Sequence, residues 1–160
     1  MRNSLQAQVT PHLNRRAGNR WTLADAISLD MFRALVGSRP SLVKIDAEGS
    51  EPAVLRGAAQ LLASSEPPAI LFEFNPITLA ECEENIDTLG ASLTGHILYY
   101  VDDLRGQMLP FGEMVENLRK ISWICNLFAV PRADAAIRCW TAVSGQVRQQ
   151  LAMRPKNSFK

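Results

Sequence analysis

An α/β domain is expected here: a mostly parallel sheet with helices on both faces. Three observations lead to it. Amphipathic segments with a helical period alternate with short apolar runs, the order in which helices wrap a parallel sheet. One of those runs, "PPAILFEFNP", is apolar almost without interruption, as a strand covered on both faces must be. The final strand segments, "HILYYVDDLRGQMLPFG" and "SWICNLFAVPR", have no clear helix between them, which suits an antiparallel sheet edge.

The elements follow in order. Residues 1–20 are polar and basic without a sustained period and read as a loose leader. "WTLADAISLDMFRALVG" carries Leu23, Ile27, Met31 and Leu35 at helical spacing, with Thr22 as N-cap, Gly37 beyond the end and a break near Ser28. "SLVKID" is a short strand. "SEPAVLRGAAQLLASS" places Val54, Leu55, Ala58, Leu61 and Leu62 on one helical face, with Ser50 as N-cap and Pro52 in the first turn. The "PPAILFEFNP" strand comes next, and then "TLAECEENIDTLG", a helix stopped by Gly90. A strand, a turn through Asp103 to Gly106, a returning strand and the "SWICNLFAVPR" strand follow. Ile137, Trp140, Val143, Val147 and Leu151 mark a last helix before a basic tail. The domain proper therefore spans residues 21–132, with residues 133–160 as terminal helix and tail.

Bulk composition excludes several classes. The 160 residues are 47% hydrophobic and 21% charged, a globular balance with enough chain for one core. A net charge of +1 gives no general pull toward nucleic acid or anionic membrane, so neither is an expected partner. No apolar run approaches the roughly 18 residues of a membrane span, and the N-terminus lacks the apolar segment of a secretory signal. The cytoplasm is the expected compartment. Cys82, Cys125 and Cys139 are odd in number and far apart, and His12 and His96 are isolated. Neither a disulfide framework nor a zinc site is expected from them.

Chemistry concentrates in "SLVKIDAEGSEPAVLRGAAQLL". Ligands of open α/β sheets bind beyond the carboxyl ends of the strands. One strand there delivers Asp46, with Glu48 two residues on, and the next delivers Glu73 and Asn75. If the two run parallel, all four groups collect at one end of the sheet. Gly49 lets the backbone turn sharply or approach a ligand closely. Lys44 lies two residues before Asp46 and so on the same strand face, where the pair neutralises an otherwise costly charge. Glu51 reads as an acid serving the helix dipole. Hard oxygen ligands at Asp46, Glu48 and Glu73 would suit a divalent cation, but no spacing rule demands one, and no metal is expected.

The block from Lys44 to Ala58, "KIDAEGSEPAVLRGA", resembles the signature of the FkbM family of S-adenosylmethionine-dependent methyltransferases. Lys44, Ile45, Asp46, Glu48, Gly49, Glu51, Val54, Leu55, Gly57 and Ala58 match in register. "WTLADAI" is similar to the segment usually found upstream, with Ala24 where an aspartate is common, and "NLFAVPR" to the closing strand. The resemblance implies a class I, Rossmann-like methyltransferase fold and S-adenosylmethionine as cofactor. It also implies methyl transfer to a small-molecule or sugar hydroxyl. Asp46, Glu48 and Lys44 would be catalytic, and Gly49, Glu73 and Asn75 would bind cofactor or substrate. The family's earlier half, with its glycine-rich cofactor loop, has no counterpart in the nine glycines. The chain thus resembles the C-terminal half of the domain, and the alternative reading is a non-catalytic remnant or interaction module. An uncovered sheet edge would favour a homo-oligomer.

Overall fold

The computed structural model describes residues 26–133. The leader, Thr22, Leu23, His12, Cys139 and the expected last helix lie outside the described residues.

The first helix, α1 (Leu29–Val36), starts where the sequence suggested a break: Ser28 is its N-cap, its hydroxyl accepting the Met31 N–H at 3.2 Å. Gly37 ends it in the left-handed conformation. Its apolar line stays largely in water, since α1 buries no residue and Leu35 is 74% exposed, though Leu29 packs against the core. Polar contacts add to that docking. The Asp30 carboxylate accepts the N–H groups of Gln60 and Leu61, each at 2.8 Å.

Strand β1 (Leu42–Ile45) leads into α2 (Glu51–Arg56) and α3 (Ala59–Leu62), the one expected helix divided around Gly57 and Ala58. Strand β2 (Ala69–Phe74) follows, and then α4 (Pro76–Glu81) and α5 (Ile86–Ala91). This second helical segment is also divided, because Glu83 adopts a positive φ and Asn85 opens α5 with a capping box to Thr88. Gly90 lies inside α5, which ends at Ser92. Strands β3 (His96–Asp102) and β4 (Gln107–Pro110) form the expected hairpin, helix α6 (Phe111–Leu118) comes next, and β5 (Cys125–Pro131) closes the sheet.

The sheet order is β1-β2-β5-β3-β4. Only β1 and β2 pair in parallel, while β2–β5, β5–β3 and β3–β4 are antiparallel. The expectation of a mostly parallel sheet is therefore corrected to a mixed, mostly antiparallel one. The physical reason is the seat taken by β5. Strands β1, β2 and β3 do run in one direction, but β5 enters between β2 and β3 from the opposite end, turning what would be a parallel contact into two antiparallel ones. Helix α6, absent from the sequence reading, makes that return possible.

Alternation along the strands divides the side chains between two faces. Ile70, Phe72 and Phe74, with Leu127 and Ala129, join Leu55, Leu62, Leu79, Leu89 and Leu118 from the helices in the main core. The opposite face carries a smaller cluster of Ala69, Phe128 and Val130, with Leu71 and Tyr99 against it. Lys44 is in register with Leu71, so it shares that second face with Glu73. No helix among the described residues is long and apolar enough to cross a membrane.

Candidate functional site

Beyond the last paired rung of the parallel pair, Ile45 with Phe72, the chain of β1 leaves the sheet at Asp46, level with Glu73. It then makes a tight turn through Ala47, Glu48, Gly49 and Ser50. Both Glu48 (φ 49°) and Gly49 (φ 96°) are left-handed, a conformation that costs about 1–2 kcal/mol for a residue with a Cβ. Two things hold it. The buried Glu51 carboxylate reaches back to accept the N–H groups of Ala47 at 2.8 Å and Gly49 at 2.9 Å. The Ser50 N–H donates to the Ala47 carbonyl at 3.0 Å.

Glycine at position 49 has a second cause. A Cβ there would stand 2.4 Å from the main-chain oxygen of Thr78, so the turn and the first turn of α4 fit together only without one. The close approach is to the protein's own backbone. Asn75 sits at that same helix start, nearly buried, its Oδ1 accepting from the N–H groups of Ile77 and Thr78 at 3.1 and 3.3 Å. It caps α4, and Gly49 lies against the turn that it caps.

The turn throws the remaining acids together. One carboxylate oxygen each from Asp46, Glu48 and Glu73 lies within 4.8 Å of the others. Lys44 Nζ donates to Asp46 Oδ2 at 2.8 Å, and this bond, then the charge of Asp46, raises the ammonium pKa. The Glu73 carboxyl pKa is also raised, first by its burial between strands and then by the negative charges of Asp46, Glu48 and Glu51. Of the six residues singled out from sequence, the structure thus brings together Lys44, Asp46, Glu48 and Glu73. Gly49 and Asn75 shape and cap the ground beneath them.

What such an arrangement can do follows from its donors. Three carboxylates facing one space can accept hydrogen bonds from hydroxyl groups, take up a proton, attract a cationic centre or ligate a hard cation. The sequence reading missed the part played by Glu51, whose signal was its place two residues after a left-handed glycine. No disulfide occurs among the described residues, and burial, then Asp103 and Glu73, push the Cys125 thiol up to about 12.

No curated protein and no solved structure matches the chain. A family profile, that of the methyltransferase FkbM domain, matches residues 21–108. That span takes in β1, the acidic turn, β2 and the β3–β4 hairpin as far as Met108. With the match covering more than half of the sequence and every element that builds the acidic site, the chain belongs to the methyltransferase FkbM domain family.

Proposed function

We propose that the chain takes part in methyl transfer from S-adenosylmethionine to a hydroxyl oxygen of a small molecule or sugar. The observation that carries this reading is the convergence of Asp46, Glu48 and Glu73 where β1 and β2 end side by side, in a member of a methyltransferase family. S-Adenosylmethionine, when bound, would supply an electrophilic methyl group on a sulfonium, whose sulfur–methyl bond breaks as the sulfur leaves as a neutral thioether. Three carboxylates complement such a cation by charge. No glycine-rich turn that would hold the remainder of the cofactor occurs among the described residues, so the residues here are assigned to the acceptor.

Asp46 orients the acceptor hydroxyl and takes its proton as the new C–O bond forms. Its Oδ2 is held by Lys44, which leaves Oδ1 for the acceptor and fixes the carboxylate plane. Glu48 offers a second hydrogen-bond acceptor from the turn. Glu73, whose proton affinity its surroundings raise, lines the neighbouring wall with Asn75 and relays the proton toward water. A metal ion is not needed for these steps.

The test is calorimetry of the full chain with S-adenosylmethionine, followed by transfer of a labelled methyl group to a panel of sugars and small hydroxyl compounds. Cofactor binding and transfer are expected, with Asp46→Ala abolishing transfer at an unchanged unfolding temperature. No heat and no thermal shift at millimolar cofactor would overturn the reading of this chain as an enzyme by itself.

A second reading, an interaction module of the same fold, is favoured by the outer strand. Strand β1 is one of the two sheet edges among the described residues and carries the exposed Leu42, and Phe32, Leu35 and Val36 are exposed on the helix before it. An edge strand flanked by apolar side chains is a template for a strand from another chain or another copy. Absence of cofactor binding combined with concentration-dependent association would favour it.

A further inference from the structure

A groove of about 330 Å³ lies between β3, α6 and the segment joining α6 to β5, a volume at the small end of ligand sites. Its walls are Tyr100, Met114, Leu118, Ile121 and Trp123, and its polar groups are Asn117 and Lys120. Three features mark it out. Trp123 is 59% exposed and the next residue, Ile124, is 56% exposed, so two large apolar side chains face water from a segment outside any helix or strand. Lys120 is exposed and has no ion-pair partner among the described residues, whereas the other described lysine, Lys44, is bonded to Asp46. The place is also informative. Tyr100 lies near the carboxyl end of β3, and the joining segment enters β5 at Cys125, opposite Phe74. The groove therefore lies toward the end of the sheet where the acids gather, on the main-core face and not on the face of Lys44 and Glu73.

We propose that this groove binds a small molecule with a flat apolar body and a single anionic group, of the aromatic carboxylate class. The ring lies against Trp123 and Tyr100, where aromatic faces and edges offer directional contacts as well as area. The anion pairs with Lys120, and the Asn117 amide supplies a donor beside it. A cationic ligand would meet Lys120 with like charge, and a fully polar one would leave the apolar walls wet. Binding here needs no S-adenosylmethionine, so the proposal stands apart from the methyl-transfer reading.

Calorimetric titration of the full chain with 2-naphthoate and with its uncharged analogue 2-naphthamide tests it. Saturable binding is expected, with naphthoate about fivefold the tighter, the size an exposed ion pair confers. Lys120→Gln should weaken naphthoate alone and erase that preference. Trp123→Ala should weaken both by about tenfold, as loss of a central aromatic anchor does. Both positions are exposed, so neither change should move the unfolding temperature. Lys120→Glu serves as an independent check, since it should transfer the preference to a naphthylmethyl ammonium. No saturable binding, or equal affinity for naphthoate and naphthamide in the unaltered chain, would overturn the proposal. So would a dimer that Trp123→Ala dissolves without any naphthoate binding, which would assign the groove to a second copy.

Discussion

At position 49 a single missing methyl group decides whether the acidic turn exists. The left-handed φ and the Thr78 oxygen, 2.4 Å from where a Cβ would stand, act independently against any side chain. Main chain cannot swing aside as the end of a flexible side chain can, so α4 itself would have to move. Gly49→Ala is therefore expected to destabilise the fold by about 3 kcal/mol or more, measured by urea unfolding. An effect below about 1 kcal/mol would show that the turn and α4 are not in contact. Glu51 belongs to the same unit. Its carboxylate answers two backbone donors that a tight turn would otherwise bury unpaired. Glu48, held left-handed without being glycine, places its carboxylate beside Asp46 and Glu73 at a cost in backbone energy, a pattern that clusters at functional sites.

At the scale of elements, periodicity in the sequence located nearly every strand and helix of the described residues, and failed where tertiary packing overrode it. The helix signal in residues 50–65 is continuous, yet the chain breaks it after Arg56, where the N-terminus of α3 turns to meet the Asp30 carboxylate. That partner lies about thirty positions away and leaves no trace in local pattern. Helix α6 escaped because "FGEMVENL" begins with an aromatic and a glycine and has no side-chain cap. The start of β3 offers a test of its own. His96 is buried, its Nε2 paired with the Pro68 carbonyl at 2.9 Å and its Nδ1 without a partner among the described residues. Burial, its largest influence, lowers its pKa below 6.5. The unfolded chain thus takes up the proton first as pH falls. Stability is full above pH 6.5 and is lost as pH drops from there toward the folded-state value. Unfolding free energies should fall between pH 7.5 and 5.5, and His96→Gln should flatten that dependence. An equal slope in the variant would place the titration elsewhere.

Across the whole molecule, the site was more legible than the sheet that carries it. Asp46, Glu48 and Glu73 could be placed together because a parallel β1–β2 pair alone suffices, and the two strands do run in parallel. Strand order could not be read, since nothing local in "SWICNLFAVPR" says that β5 inserts between β2 and β3 instead of adding at an edge. That pairing spans more than fifty positions of sequence and is fixed only by which apolar faces remain to be covered. The consequence for function is favourable. An antiparallel β5 starts at the end where β2 and β3 finish, so the Trp123 segment and the acidic turn lie at the same end of the sheet. The same order leaves β1 outermost among the described residues, and the interaction reading draws on that edge.

Centrally, the carboxylates of Asp46 and Glu48, on the turn after β1, share one space with that of Glu73 on β2 and raise its pKa. Carbon-detected NMR titration of the Glu73 carboxyl, in the unaltered chain and in Asp46→Asn, tests it most directly. Glu73 should titrate above 4.5, and loss of the Asp46 charge should bring it down without restoring it fully, since burial is the larger cause. An ordinary Glu73 titration, indifferent to the Asp46 change, would contradict the account.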